Sequence, residues 1–261
     1  MTEDLEELKI KIFADGADIK GITKLRANPM IAGFTTNPTL MRGAGIVDYA
    51  GFAREVLAVV PDQPVSFEVF ADEFDEMEAQ ALTIAGWGDN VNVKIPVTNT
   101  RGESAGPLIE RLSAQGVTLN VTAMMTLEQV VMATRALGEN TPAILSIFAG
   151  RVADTGRDPV PMMAEAVRIA QDRPKAEILW ASPRELLNIF HADSIGCHII
   201  TVTHGLLAKL VTVGKNLDEY SLDTVKMFYD DASKSGYTIP LNSNTTSPAS
   251  SEGWTASEAI R

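Results

Sequence analysis

A chain of 261 residues is long enough for one large core and suits the roughly 250 residues that an eightfold α/β barrel needs. With 45% apolar and 21% charged residues it can bury that core, which excludes disorder for most of its length. Its formal net charge of -12 would repel a nucleic-acid backbone, so nucleic acid is excluded as a partner and an anionic ligand must be held by a few local cations.

Short runs rich in Val, Ile and Phe alternate with stretches of helical periodicity, the pattern of βα units around a parallel sheet. Strands are predicted over 9–14, 31–36, 65–70, 91–95, 117–121, 143–148, 177–181 and 198–202, about eight units in all. Helix-compatible segments such as 49–59, 104–115, 127–137, 161–171 and 184–192 lie between them and are long enough to cross over and return. A further helix is expected over 217–233, where Leu, Val, Met and Phe recur at helical spacing. From 242 to 251 the chain turns to Ser, Thr, Asn and Pro, which predicts a mobile tail. The expected organisation is a single (β/α)8 TIM barrel over 1–238 followed by a flexible tail over 239–261. The acidic N-terminus lacks the pattern of a secretory signal, no apolar run reaches the roughly 20 residues of a membrane helix, and the one cysteine, Cys197, allows no intramolecular disulfide. A cytoplasmic protein with no membrane partner is expected.

Side chains alternate along a strand, and barrel chemistry collects where strands end. Setting Val91, Val93 and Ile95 against the outer helices turns Asn92 and Lys94 inward. The same parity turns Thr118, Asn120 and Thr122 inward in the fifth strand, Ser66 and Glu68 in the third, and Lys11, Phe13 and Asp15 in the first. Unpaired buried charge is costly, so polar residues collected on one face are best explained by a shared site. Lys94 is its centre: burial disfavours a charged amine, and a neutral amine attacks carbonyls. Lys11 lies deeper and is expected to be an ion-pair partner in the lower half of the barrel. Ser182, Pro183 and Arg184 have the residue types of a helix start, Ser as N-cap and Pro at the first position, which predicts an anion site built from backbone amides, Arg184 and, across the rim, Arg151.

In combination, Phe13-Ala14-Asp15, Gly33-Phe34-Thr35-Thr36-Asn37-Pro38, Val93-Lys94-Ile95-Pro96-Val97-Thr98, Asn120-Val121-Thr122, Ser146-Ile147-Phe148-Ala149-Gly150-Arg151 and Ala181-Ser182-Pro183-Arg184 resemble the transaldolases and related fructose-6-phosphate aldolases. The resemblance implies that Lys94 forms a Schiff base with a ketose and that Asp15 is the acid/base on the substrate hydroxyl. It further implies that Glu68 and Thr122 position the catalytic water, and that Asn37 and Asn120 bond the covalent intermediate. Ser182, Arg151 and Arg184 would bind phosphate, with Ser146 lining the site. Aldolase members of the fructose-6-phosphate type carry Gln at the Glu68 position and Tyr at the Phe148 position, so this chain is closer to the transaldolases there.

Trp180 stands where the family usually has a small residue; by parity with Ser182 it is expected inside the barrel one layer below the site. His191, His198 and His204 form no ligand set, so no metal is expected, and Schiff-base chemistry implies no cofactor. The expected partners are small-molecule sugar phosphates, and the oligomeric state is left open, a homo-oligomer among the alternatives. The leading expectation is transfer of a dihydroxyacetone-like unit between sugar phosphates. The rivals are a lyase using the same lysine and a non-catalytic sugar-phosphate-binding barrel.

Overall fold

The computed structural model describes residues 3–241. After a short helix α1 (Glu3–Glu6), the chain runs β1 (Lys11–Asp15), α2 (Ile19–Arg26), β2 (Ile31–Thr35), α3 (Pro38–Gly43), α4 (Tyr49–Val59), β3 (Val65–Glu68), α5 (Phe74–Ala85) and β4 (Val91–Pro96). It continues with α6 (Gly106–Ala114), β5 (Leu119–Met124), α7 (Leu127–Ala136), β6 (Ala143–Ile147), α8 (Ala149–Asp154), α9 (Val160–Ala170), β7 (Ala176–Trp180), α10 (Leu187–Ser194), β8 (Ile199–Thr203) and α11 (His204–Leu207). A 3-10 turn (Ala208–Thr212) and α12 (Leu217–Ser235) follow.

The eight strands are parallel and close on themselves in chain order, β8 pairing with β1, so the fold is a (β/α)8 barrel. Local chemistry starts the helices where the reading of periodicity needs them. Asp18 accepts from the Lys20 and Gly21 amides, Asp48 from Gly51, and Thr126 with Gln129 forms a reciprocal capping box.

Two buried layers result. Between sheet and helices lies the main core, which takes Phe67, Val93, Ile95, Leu145 and Ile178 from the strands and Met77, Leu112 and Ile189 from the helices. Inside the barrel a smaller plug is formed by Phe13, Ile144, Leu179, Ala181 and Ile199. Gly33 makes room for that plug: a Cβ there would stand 2.7 Å from the Phe13 ring. At the strand-start mouth Lys11 pairs with Glu177 at 2.5 Å. Cys197 is buried, and burial pushes its thiol up to about 12.

Trp180 corrects the parity expectation: it is fully buried in the sheet–helix core, not inside the barrel. Alternation fails because Ser182 adopts φ +58, so counting back by two from Ser182 lands on the wrong face. Leu179 and Ala181 are the inward residues. The same backbone turn overturns the expected helix start, because an N-cap needs extended φ/ψ; α10 begins only at Leu187, and its preceding residue gives no side-chain cap.

The chain divides after Val213 into two compact units. The first holds the whole barrel. The second contains α12, whose start is capped by Asn216 and none of whose residues is buried. The tail expected over 242–251 lies outside the described residues.

Candidate active site

At the strand-end mouth lies a cavity of about 430 Å³ lined by residues from all eight strands or the loops that follow them. Asp15, Asn37, Glu68, Lys94, Asn120, Thr122, Ser146, Phe148, Arg151 and Ser182 all line it. Arg184 does not.

Lys94 is the centre of the arrangement. It is 6% exposed, its Nζ donates to the Thr36 carbonyl at 2.9 Å, and it lies 3.0 Å from Glu68 Oε2. Adjacent strand ends supply this pair, since Glu68 of β3 is in register with Lys94 of β4. In a water-poor setting a lysine with a carboxylate neighbour has a nearby group to take its proton.

Asp15 ends β1. Burial raises its carboxyl above the ordinary 3.8, while the Thr35 hydroxyl, donating at 2.8 Å, and Lys94 oppose the shift. Thr35 also shares a 2.5 Å hydrogen bond with Thr201, so a hydroxyl pair from β2 and β8 fixes the carboxyl. Thr201 did not stand out in the sequence and Thr35 entered only as part of a motif with no role assigned, since hydroxyls on a strand carry no charge signal. Thr35 is in register with Asp15 and Thr201 with Phe13, so parity puts both on the inward face but only the closed barrel brings them together at Asp15.

Asn120 is held by two bonds, its Nδ2 donating to Ser66 Oγ at 3.0 Å and its Oδ1 accepting from Ser146 Oγ at 2.6 Å. Asn37 uses its oxygen to cap α3 at the Leu40 amide, leaving its amide nitrogen for the cavity. Thr122 and Ala123 both face the cavity because β5 bulges: Val121 pairs with Leu145 but Met124 with Ile147, and Ala123 takes φ +65. The Thr122 hydroxyl is buried and meets no protein partner. Two non-glycine residues in the left-handed region, Ala123 and Ser182, thus flank one cavity, where stored strain commonly marks a site.

Phe148 precedes α8, and the Arg151 guanidinium stands 5.5 Å from its ring centroid. Gly150 lets α8 pass close to the loop after β7, since a Cβ there would fall 1.6 Å from the Ser182 carbonyl oxygen. The amides expected to bind an anion after Ser182 are taken: those of Arg184 and Glu185 donate to Asn188 Oδ1. Among the described residues no three His, Cys, Asp or Glu side chains gather as a metal site, and no helix is long and apolar enough to cross a membrane.

The fold and cavity define a barrel with a buried lysine set among carboxyl, amide and hydroxyl groups at its strand ends. Residues 12–239 match the family model described as Transaldolase/Fructose-6-phosphate aldolase, and the chain belongs to that family. A "Probable transaldolase" of Dehalococcoides mccartyi is 34% identical over 203 residues, 77% of this chain and 90% of that protein. Another from Streptococcus equi subsp. zooepidemicus is 34% identical over 225 residues, 85% of this chain and 97% of that one. "Probable transaldolase 2" of Listeria monocytogenes is 33% identical over 202 residues, 77% and 88% of the two chains. Among solved structures a mandelate oxidase shares the fold alone, with a TM-score of 0.53 and 14% identity over 82% of this chain and 75% of that one.

Proposed function

We propose that the protein is a transaldolase that moves a dihydroxyacetone-like unit from a ketose phosphate to an aldose phosphate through an imine on Lys94. The observation that carries this reading is the placement of Lys94, buried against Glu68 with Asp15 lining the same cavity. A merely sugar-binding barrel has no use for a buried amine and two carboxyl groups gathered in one cavity.

The steps follow from those positions. Lys94 Nζ, its proton passed to Glu68, attacks the ketose carbonyl, and the carbinolamine loses water to give a protonated imine. Glu68 and Thr122 flank the point at which that water leaves and later returns. Asp15 takes the proton of the hydroxyl carried by the far carbon of the bond to be cut, so that this carbon becomes the carbonyl of the departing aldehyde. That carbon–carbon bond breaks, its electron pair moves towards the imine nitrogen to form an enamine, and an aldehyde departs. The enamine then attacks the acceptor aldehyde, Asp15 returns a proton to the new hydroxyl, and water hydrolyses the imine.

Asn37 Nδ2 and the fixed Asn120 amide hold the intermediate's hydroxyls. Arg151 and Ser182 take the phosphate, with Arg184 as the second cation. Phe148 offers the enamine carbon no proton, which favours transfer over release, and so supports a transaldolase rather than a lyase. The imine is itself the electron sink, so the reading needs no cofactor. The single buried cysteine suits a reducing, cytoplasmic setting.

Borohydride added during turnover with a ketose tests the reading. The expected outcome is a donor-derived mass on Lys94, located by peptide mapping, with loss of activity, and a folded but inert Lys94→Arg variant. Full activity with an unmodified Lys94 would overturn it.

A further inference from the structure

The two arginines that follow β6 and β7 are engaged differently. Arg151 lines the cavity and, among the described residues, makes no ion pair. Arg184 is gripped by Asp154 through both carboxylate oxygens, Nε to Oδ1 at 2.8 Å and Nη2 to Oδ2 at 2.5 Å. The backbone of Arg184 is anchored, its amide donating to Asn188 Oδ1 at 2.8 Å, so any rearrangement must occur in the side chain. That side chain is 48% exposed and no packed core holds it in place. Asp154 closes the short helix that carries Arg151 one turn earlier, so one element holds a cation of the cavity and the anion that engages its neighbour. Arg184 keeps the Asp154 carboxyl below its ordinary range, and Arg151 adds to that effect.

We infer that Asp154 is an internal occupant of Arg184, a carboxylate that keeps the second arginine out of the cavity until a phosphate dianion held by Arg151 and Ser182 displaces it. This rests on the reading of that end of the cavity as the phosphate site. Displacement follows charge. A carboxylate carries one negative charge, whereas phosphate above its second pKa of about 6 carries nearly two and presents three acceptor oxygens. A hydroxyl group carries none and leaves the pair closed. Asp154 therefore sets selectivity, recruiting Arg184 for phosphorylated substrates alone and weakening their binding relative to a cavity in which both arginines stand free.

Calorimetric titration with inorganic phosphate at pH 8 tests the proposal in the full-length protein. Asp154→Asn removes the charge at nearly constant shape and should tighten phosphate binding on the order of tenfold, the scale of a charge-assisted contact. Asp154→Ala should tighten it in the same direction, and thermal melts confirm that both variants fold. In an Arg184→Ala background the gain should vanish. Unchanged or weakened binding in both Asp154 variants would overturn the proposal, since Asp154 would then brace Arg184 in its working position. A gain that persists without Arg184 would also overturn it, as loss of a nearby negative charge would suffice. If the parent protein binds no phosphate and Arg151→Ala changes nothing, the phosphate reading itself fails and the role of Asp154 falls with it.

Discussion

Asp15 is placed against its own charge. Burial lifts its folded-state pKa above the ordinary 3.8, so the native state binds more protons than the unfolded state between the two values. Stability therefore falls as pH rises from the ordinary aspartate range through the raised folded-state pKa. Asp15→Asn is expected to melt at a higher temperature than the parent at pH 7, with the advantage disappearing at pH values below the ordinary aspartate range. Melting curves across pH check this, and activity should be lost at every pH. On the proposed mechanism, Phe148 governs what happens after bond cleavage. A phenol there could protonate the enamine carbon, so Phe148→Tyr should raise the ratio of free dihydroxyacetone to transferred product at fixed acceptor, while Phe148→Leu should not. An unchanged ratio in a folded Phe148→Tyr variant that still forms the imine would remove Phe148 from that role.

Elements position the site through contacts that no strand pattern announces. Tyr49, the first residue of α4, bridges the end of β3: its hydroxyl donates to the Glu68 carbonyl at 3.0 Å and accepts from the Glu68 amide at 2.7 Å. Its ring packs edge-on to Phe67 and Trp87, and burial pushes its phenol well above the ordinary range. Tyr49→Phe keeps the packing but leaves a partly buried amide and carbonyl unmatched, which should cost about 1–3 kcal/mol in a urea titration. Glu68, on the loosened strand end, should then hold Lys94 less well, lowering kcat. Wild-type stability and turnover would show that Tyr49 is only a packing residue. The β5 bulge acts similarly, because one extra residue turns both Thr122 and Ala123 towards the cavity.

At the scale of the whole molecule, the residues lining the cavity all belong to the unit that ends at Val213. The strands close within it, and α12 buries none of its residues. A chain ended after Val213 should therefore still fold as a barrel and still be trapped on Lys94 by borohydride. Loss of trapping in a truncated chain with native circular dichroism would show that the second unit completes the site. The net charge of -12 makes the cavity's cations the exception on an acidic molecule, which is why the pairing of each arginine bears on anion binding.

Pattern pointed to the βα barrel and to the inward set Asp15, Glu68, Lys94, Asn120 and Thr122, because period-two alternation and parallel βα repetition are local properties that the chain spells out. The helix expected over 217–233 emerged as Leu217–Ser235 for the same reason. What local pattern could not carry were the departures from alternation. Ser182 and Ala123 adopt left-handed backbone that neither residue type advertises, so Trp180 faces the helices and α10 starts five residues after Ser182. Nor could it carry pairings between distant segments: Thr35 with Thr201, Tyr49 with Glu68 and Asp154 with Arg184 join residues 166, 19 and 30 positions apart. Such contacts depend on how closed strands and their loops meet in space, and only the tertiary structure decides which cation faces the cavity and which is held beside it.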